Sequence, residues 1–215
     1  RVRSAFVAAA LRARDLGLDV LEVHNAHGYL LHSFLTPLAN NRNDAYGGDL
    51  EGRMRFPLDV FRAVREVWPE DRVLGVRISA TDWAEGGWTI EDSIVFTQRL
   101  KSMGCDYITA SSGGSTPDQV IPIGPGYQIP LAEAIRRETG IAVMGVGLIT
   151  EPAQAEQILS EGQADLVALG RRMLFNPRWP WHAAVELDEP LAIPRQYQRC
   201  HPGMQRGDFL KPRQG

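Results

Sequence analysis

Val20-Leu21-Glu22-Val23-His24-Asn25-Ala26-His27-Gly28-Tyr29-Leu30 decides how the rest of the chain reads. Its first half is an apolar run rich in Val and Leu, introduced by Gly17-Leu18-Asp19, and has the signature of a buried parallel strand. Its second half puts His24, His27 and Tyr29 at the carboxyl end of that strand, where α/β folds place their active sites. Two imidazoles three residues apart and a phenol two further on can converge on one small oxygen atom. The imidazoles would donate hydrogen bonds and the phenol would supply a proton. The competing reading has each imidazole satisfied by a backbone carbonyl and Tyr29 as a packing ring. It suits one such residue better than three gathered at a strand end. Asn25, between the imidazoles, carries no assigned role.

Working outward, the elements repeat one unit. Phe6, Ala9, Ala10, Ala13 and Leu16 fall at helical spacing between Ser4 and Leu16, so a helix precedes the first strand. A long loop follows it, then a helix from Leu50 to Val67 with Phe56, Val60, Phe61 and Val64 on one side. Pro57 predicts that this helix starts later or bends. Strands are predicted at Val73 to Ser79, Asp106 to Ala110, Ile141 to Val146 and Ala164 to Leu169. Helices are predicted at Ile90 to Met103, Pro130 to Thr139, Glu151 to Ser160 and from Arg171 onward. Short apolar strands alternating with helices are the pattern of right-handed βαβ units in a parallel sheet. Five strands are too few for a closed eight-stranded barrel of about 250 residues. Either the sheet is open, or this is a TIM (β/α)8 barrel lacking its first three strand–helix units. The second is preferred because the chain opens on a helix that would normally follow a strand. Residues 1–194 then form a partial barrel with uncovered strand edges, and 195–215, rich in Gly, Pro and basic residues, form a flexible tail.

Composition excludes several classes. At 215 residues, 44% hydrophobic and 23% charged, the chain is long enough to bury a sizeable core. A net charge of -3 gives no reason to expect nucleic acid. Cys105 and Cys200 lie far apart without metal-ligand spacing, so neither a metal site nor a disulfide is expected, and a reducing cytoplasm is. No signal peptide and no apolar run near the ~20 residues that span a membrane is seen.

The loops after the strands narrow the reading. Leu35-Thr36-Pro37-Leu38-Ala39-Asn40-Asn41-Arg42-Asn43-Asp44-Ala45-Tyr46-Gly47-Gly48 follows the first, and Ser111-Ser112-Gly113 and Pro125-Gly126-Tyr127-Gln128 follow the third. Arg77 ends the buried run Gly75-Val76-Arg77-Ile78-Ser79, where a cation is costly without an anionic partner. A carboxylate such as Asp82 or Glu22 would be the ordinary one. Gly147 with the Leu148 amide, and Gly170 with Arg171, stand after the last two strands, where barrels commonly bind phosphate through backbone N–H groups. Gly145-x-Gly147 is a weak dinucleotide fingerprint, since Thr150 takes the third glycine position. Trp83, Trp88 and Gly86-Gly87 either cap the site as a mobile loop or pack on the rim. Residues 113–128 form a long loop fit for a lid, and Trp179-Pro180-Trp181 reads as interface or core.

With these motifs and His24-Asn25-Ala26-His27-Gly28-Tyr29, the chain resembles the Old Yellow Enzyme family of FMN-dependent ene-reductases over nearly its whole length up to Pro180. The His-x-x-His pair resembles its thermophilic-like or bacterial xenobiotic-reductase branch. The resemblance implies FMN as cofactor, NAD(P)H as hydride donor and a small enone as substrate. It implies that His24 and His27 hold the enone carbonyl, and that Tyr29 protonates the α-carbon. Arg77 would stand by the N1/O2 edge of the flavin, with Gly147, Leu148, Gly170 and Arg171 at its phosphate. It also implies a homo-oligomer in which Arg199, within Gln196-Tyr197-Gln198-Arg199, reaches a neighbouring site, though a solvated tail arginine is the other reading. Two alternatives stay open: a catalytically silent truncated barrel that acts only with another chain, and part of a larger dienoyl-CoA reductase-like enzyme.

Overall fold

The computed structural model describes residues 1–200. Its elements run α1 (Val2–Asp15), β1 (Val20–Asn25), α2 (Leu30–Leu35), α3 (Leu50–Arg65), β2 (Val73–Ser79), α4 (Ile90–Ser102), β3 (Tyr107–Ser111), α5 (Ile129–Thr139), β4 (Ala142–Val146), α6 (Pro152–Ser160), β5 (Leu166–Ala168), α7 (Arg171–Phe175) and α8 (Trp179–Glu186), with a 3-10 turn at Arg195–Cys200. The five strands are parallel and lie in the order β1-β2-β3-β4-β5. A doubly wound sheet reverses its strand order at a switch point, whereas a barrel adds each strand beside the last. This order has no reversal, so it is an arc of a barrel.

The two faces of β1 show what the arc covers. Val23 and Asn25 are buried toward the helices, while Glu22 and His24 on the opposite face are exposed. The run expected as a wholly buried strand is therefore an edge strand, buried on one side. β3, at the centre, is buried at all five positions. The main core lies between the strands and α3, α4 and α5, around Phe61, Val64, Leu74, Ile78, Phe96 and Ile108. Phe61 and Phe96 are at most 1% exposed, and each such ring contributes roughly 1.5–3 kcal/mol. A second cluster joins Ile149, Ala155 and Ile158 to Trp179, whose indole N–H donates to the Thr150 carbonyl at 2.8 Å. Trp179 is thus core, while Trp181 meets Arg178 and Tyr197.

Three element expectations change. Helix α3 begins at Leu50 despite Pro57, because Asp49 caps it by accepting from the Gly52 amide at 2.8 Å. The short helix α2 was not anticipated, since six residues are too few for a clear period. The single last helix divides into α7 and α8, with Pro180 in the first turn of α8. The tail expectation for residues 201–215 lies outside the described residues. Among the described residues no helix is long and apolar enough to cross a membrane.

Candidate active site

The turn after β1 is held by its backbone. His27 and Gly28 both take left-handed conformations, with φ of 58° and 71°. The His27 amide donates to Ser79 Oγ at 2.9 Å, and Ser79 Oγ donates to the Gly113 carbonyl at 2.8 Å. The Gly28 amide donates to His32 Nδ1 at 2.9 Å. Only glycine serves at 28, because a Cβ there would lie 2.2 Å from the Gly114 carbonyl oxygen. So tied, the turn gathers three rings: His24 lies 5.4 Å from His27 and 5.3 Å from Tyr29, centre to centre.

Register brings Arg77 to them. His24 and Arg77 are direct partners across β1 and β2, so their side chains leave the same face of the sheet. Neither carboxylate expected beside Arg77 pairs with it. Glu22 accepts from Thr109 Oγ1, and Asp82 lies with His32. Among the described residues no carboxylate stands within 4.0 Å of the guanidinium; its Nε is buried without a partner and its Nη2 reaches only Ser111 Oγ, at 3.5 Å. That leaves a cation with unspent hydrogen-bonding capacity. Burial first, then Arg77, His24 and His32, push the His27 imidazole down to about 4. Burial and Arg77 also lower His24, with Glu22 opposing. Both rings are neutral at pH 7, each with one donor and one acceptor nitrogen.

His27, Arg77 and Ser111 line a cavity of about 400 Å³ whose far wall holds Gly147, Leu148, Gly170 and Arg171. Gly147 has φ of 134° and packs against Gln128, where a Cβ would sit 3.0 Å from Nε2; Leu148 is left-handed at φ 50°. At Gly170 a Cβ would meet nothing within 4 Å. The cavity thus joins the expected cation to the expected phosphate turns. His24 and Tyr29 are not on its wall; His24 adjoins it beside His27 and Arg77, and Tyr29, which is 64% exposed, stands next to His24. Arg199 lies exposed in the 3-10 turn, away from this wall.

Several participants carried no assigned role in the sequence. Ser111 Oγ lies 2.7 Å from His27 Nε2 and 3.4 Å from Gln128 Oε1. Gln128 is fixed by Ser112 Oγ and by donating to the Val146 carbonyl at 2.9 Å. Arg172 also lines the cavity, loosely held 3.6 Å from Glu151. A single serine at a strand end or glutamine before a helix has no local signal; only the pairing of β2, β3 and β4 brings these to His27. Asn25 is buried on the helix side with Oδ1 unpartnered, away from the imidazoles that flank it in the chain.

The profile of the NADH:flavin oxidoreductase / NADH oxidase family matches residues 1–189. An NADPH dehydrogenase of Geobacillus thermodenitrificans is 50% identical over 195 residues, 91% of this chain and 56% of that protein. The chain spans about half the length of the curated relatives it matches. Morphinone reductase in complex with tetrahydroNAD superposes with a TM-score of 0.69 at 28% identity, over 90% of this chain and 50% of that one. A 2-naphthoyl-CoA reductase complex with 2-naphthoyl-CoA gives 0.79 at 26% identity, over 87% and 29%.

Proposed function

Because the chain belongs to the NADH:flavin oxidoreductase / NADH oxidase family, we propose that it forms the substrate and phosphate side of an FMN-dependent enzyme that reduces the C=C bond of an α,β-unsaturated carbonyl compound with NAD(P)H. The observation that carries this reading is the cavity in which a half-buried guanidinium without a carboxylate partner, Arg77, faces glycine turns and Arg171 across about 400 Å³. A planar anionic cofactor ending in a phosphate fits that layout. The Arg77 guanidinium would neutralise charge gathering at one edge of the ring, and backbone N–H groups at Gly147, Leu148 and Gly170 would bind the phosphate with Arg171. FMN bound there would supply hydride transfer, from NAD(P)H and on to the β-carbon of the alkene.

The protein's own residues do the rest. Neutral His24 and His27 donate to the carbonyl oxygen and draw electron density from the double bond. His27 can donate to the carbonyl from Nδ1 when Ser111 gives its hydroxyl proton to Nε2; were Ser111 to give it to Gln128, the ring proton would sit on Nε2 and be spent on Ser111 Oγ. Tyr29 delivers the phenolic proton to the α-carbon and recovers it from solvent, to which it is exposed. Hydride at one carbon and a proton at the other balance the reduction.

The test is spectroscopic. FMN added to the purified chain should give a bound flavin spectrum that bleaches with NADPH and returns with cyclohexenone. Tyr29→Phe should slow the return by about 10²–10⁴-fold with bleaching unchanged, and Arg77→Gln should weaken flavin binding. A chain that never takes up flavin would overturn the reading in favour of a silent partial barrel. The larger dienoyl-CoA reductase alternative is weaker, since the high identity is to an NADPH dehydrogenase and the CoA-ester reductase is matched at 26%.

A further inference from the structure

We propose that the buried His32–Asp82 pair is a positioning device for the turn that carries His27 and Tyr29: Asp82 fixes the tautomer of His32, whose bare Nδ1 holds the Gly28 amide in place. The importance of that turn rests on the function proposed above; the hydrogen bonding does not.

Both side chains are 0% exposed, with His32 Nε2 3.1 Å from Asp82 Oδ1, close enough for a strong electrostatic contact although outside hydrogen-bond geometry. A charge so deep is tolerated only when donors satisfy it. Asp82 gathers them from the segments after three strands. Ser115 Oγ donates to Oδ1 at 2.8 Å, the Trp88 amide donates to Oδ2 at 2.9 Å, and Thr36 Oγ1 donates to Oδ2 as well. Burial would raise the Asp82 carboxyl, but the contact with His32 and the hydrogen bonds from Thr36 and Trp88 outweigh it and hold the group below its ordinary value. Only an acceptor-only group can serve donors on both oxygens, so an amide side chain is no substitute.

The tautomer follows from a backbone constraint. An amide N–H can only donate, so Gly28 at 2.9 Å requires an unprotonated Nδ1 on His32. The ring proton of the neutral imidazole is then on Nε2, facing Asp82. Were Asp82 absent, that proton would be free to move to Nδ1 and set two donors against each other.

Position in the helix explains why a histidine is used. Tyr29 is the N-cap of α2 and makes no side-chain cap bond. His32 stands three residues later, where a capping box places an acceptor that reaches back to the chain before the helix. Here His32 caps from the far side and leaves the Tyr29 phenol unengaged by the helix terminus. The same bond steadies two consecutive left-handed residues, one of them the non-glycine His27, whose backbone is strained there.

The experiment is NMR on the 15N-labelled chain without flavin or substrate, so its outcome is separate from that of the flavin test. Expected are an Nε2-protonated His32 and a 15N–15N coupling between the Gly28 amide and His32 Nδ1. His32→Leu should speed Gly28 amide exchange about tenfold, the order for one lost hydrogen bond, and shift the His27 and Tyr29 signals while leaving the Trp68 indole signal in place. His32→Asn, whose Oδ1 can accept near the Nδ1 position, should restore most of the protection. Asp82→Asn should populate both His32 tautomers and weaken the coupling. A wild-type His32 protonated at Nδ1, no coupling, or an Asn variant as unprotected as the Leu variant would overturn the proposal. If His32→Leu does not fold, the wild-type coupling and the Asn variant still decide.

Discussion

A histidine drawn out of water and placed beside a guanidinium and a second imidazole gives up its proton early, and for His27 this has a thermodynamic consequence. Its folded value, about 4, lies below the ordinary 6.5, so between these values the unfolded chain binds the extra proton and the folded one does not. Stability should therefore fall as pH drops from about 6.5 toward 4. Thermal melts at pH 7 and pH 5 should show it, with a flatter pH dependence in His27→Gln. A His27 ring resonance that titrates near 6.5 would contradict this. Asp82 acts in the same direction at lower pH: its depressed carboxyl stabilises the fold above its ordinary value of 3.8, and that contribution is lost as pH falls through the folded value. At this scale the sequence was informative where a polar residue interrupts an apolar run, as His24 and Arg77 do. It gave no role to Ser111 or Gln128 and the wrong partner to Asp82, because isolated polar residues look alike until their partners are known.

Among elements, β2 and β3 are joined by a fit that any added carbon would break. A Cβ at Gly75 would lie 2.2 Å from the Tyr107 ring, which crosses the inner face of the sheet at that register. Gly75→Ala should cost about 1–3 kcal/mol through overpacking and lower the melting temperature; an unchanged melt would show that the ring can move aside at little cost. The loop after β3 behaves differently from the lid its glycines and prolines imply. Gly113 donates to the Thr81 carbonyl at 2.8 Å, Val120 to Trp83 at 2.9 Å and Gly126 to Gly147 at 2.8 Å, so the loop is pinned at its start, middle and end. Amide exchange at these three residues should be slower than at Gly124; uniformly fast exchange would restore the lid. Trp88 likewise packs edge-on against Phe96 and donates to Ser93 Oγ at 2.5 Å, which places it in the core rather than on a mobile flap. Turn composition signals that a chain bends, but anchoring depends on carbonyls supplied by other loops.

In the whole molecule, among the described residues, the arc ends on β1 and β5, each paired along one edge only. Exposed Leu16, Leu18 and Val20 lie at the β1 end, and Leu166, Leu174 and Phe175 at the β5 end. Unpaired strand edges flanked by apolar side chains favour association. The purified chain alone should bind a hydrophobic dye and elute at a size that grows with concentration; a compact monomer without dye binding would count against this. The order of amino acids by itself determined the alternation of strand and helix, the number of strands, and which residues stand at strand ends, because both periods are written in near neighbours along the chain. Only the tertiary structure decided that His24 sits opposite Arg77, that Asp82 and Glu22 turn away from that cation, and that Ser111 and His32 reach the imidazole turn. Those outcomes depend on register between strands and on contacts spanning tens of residues, and no local pattern encodes them.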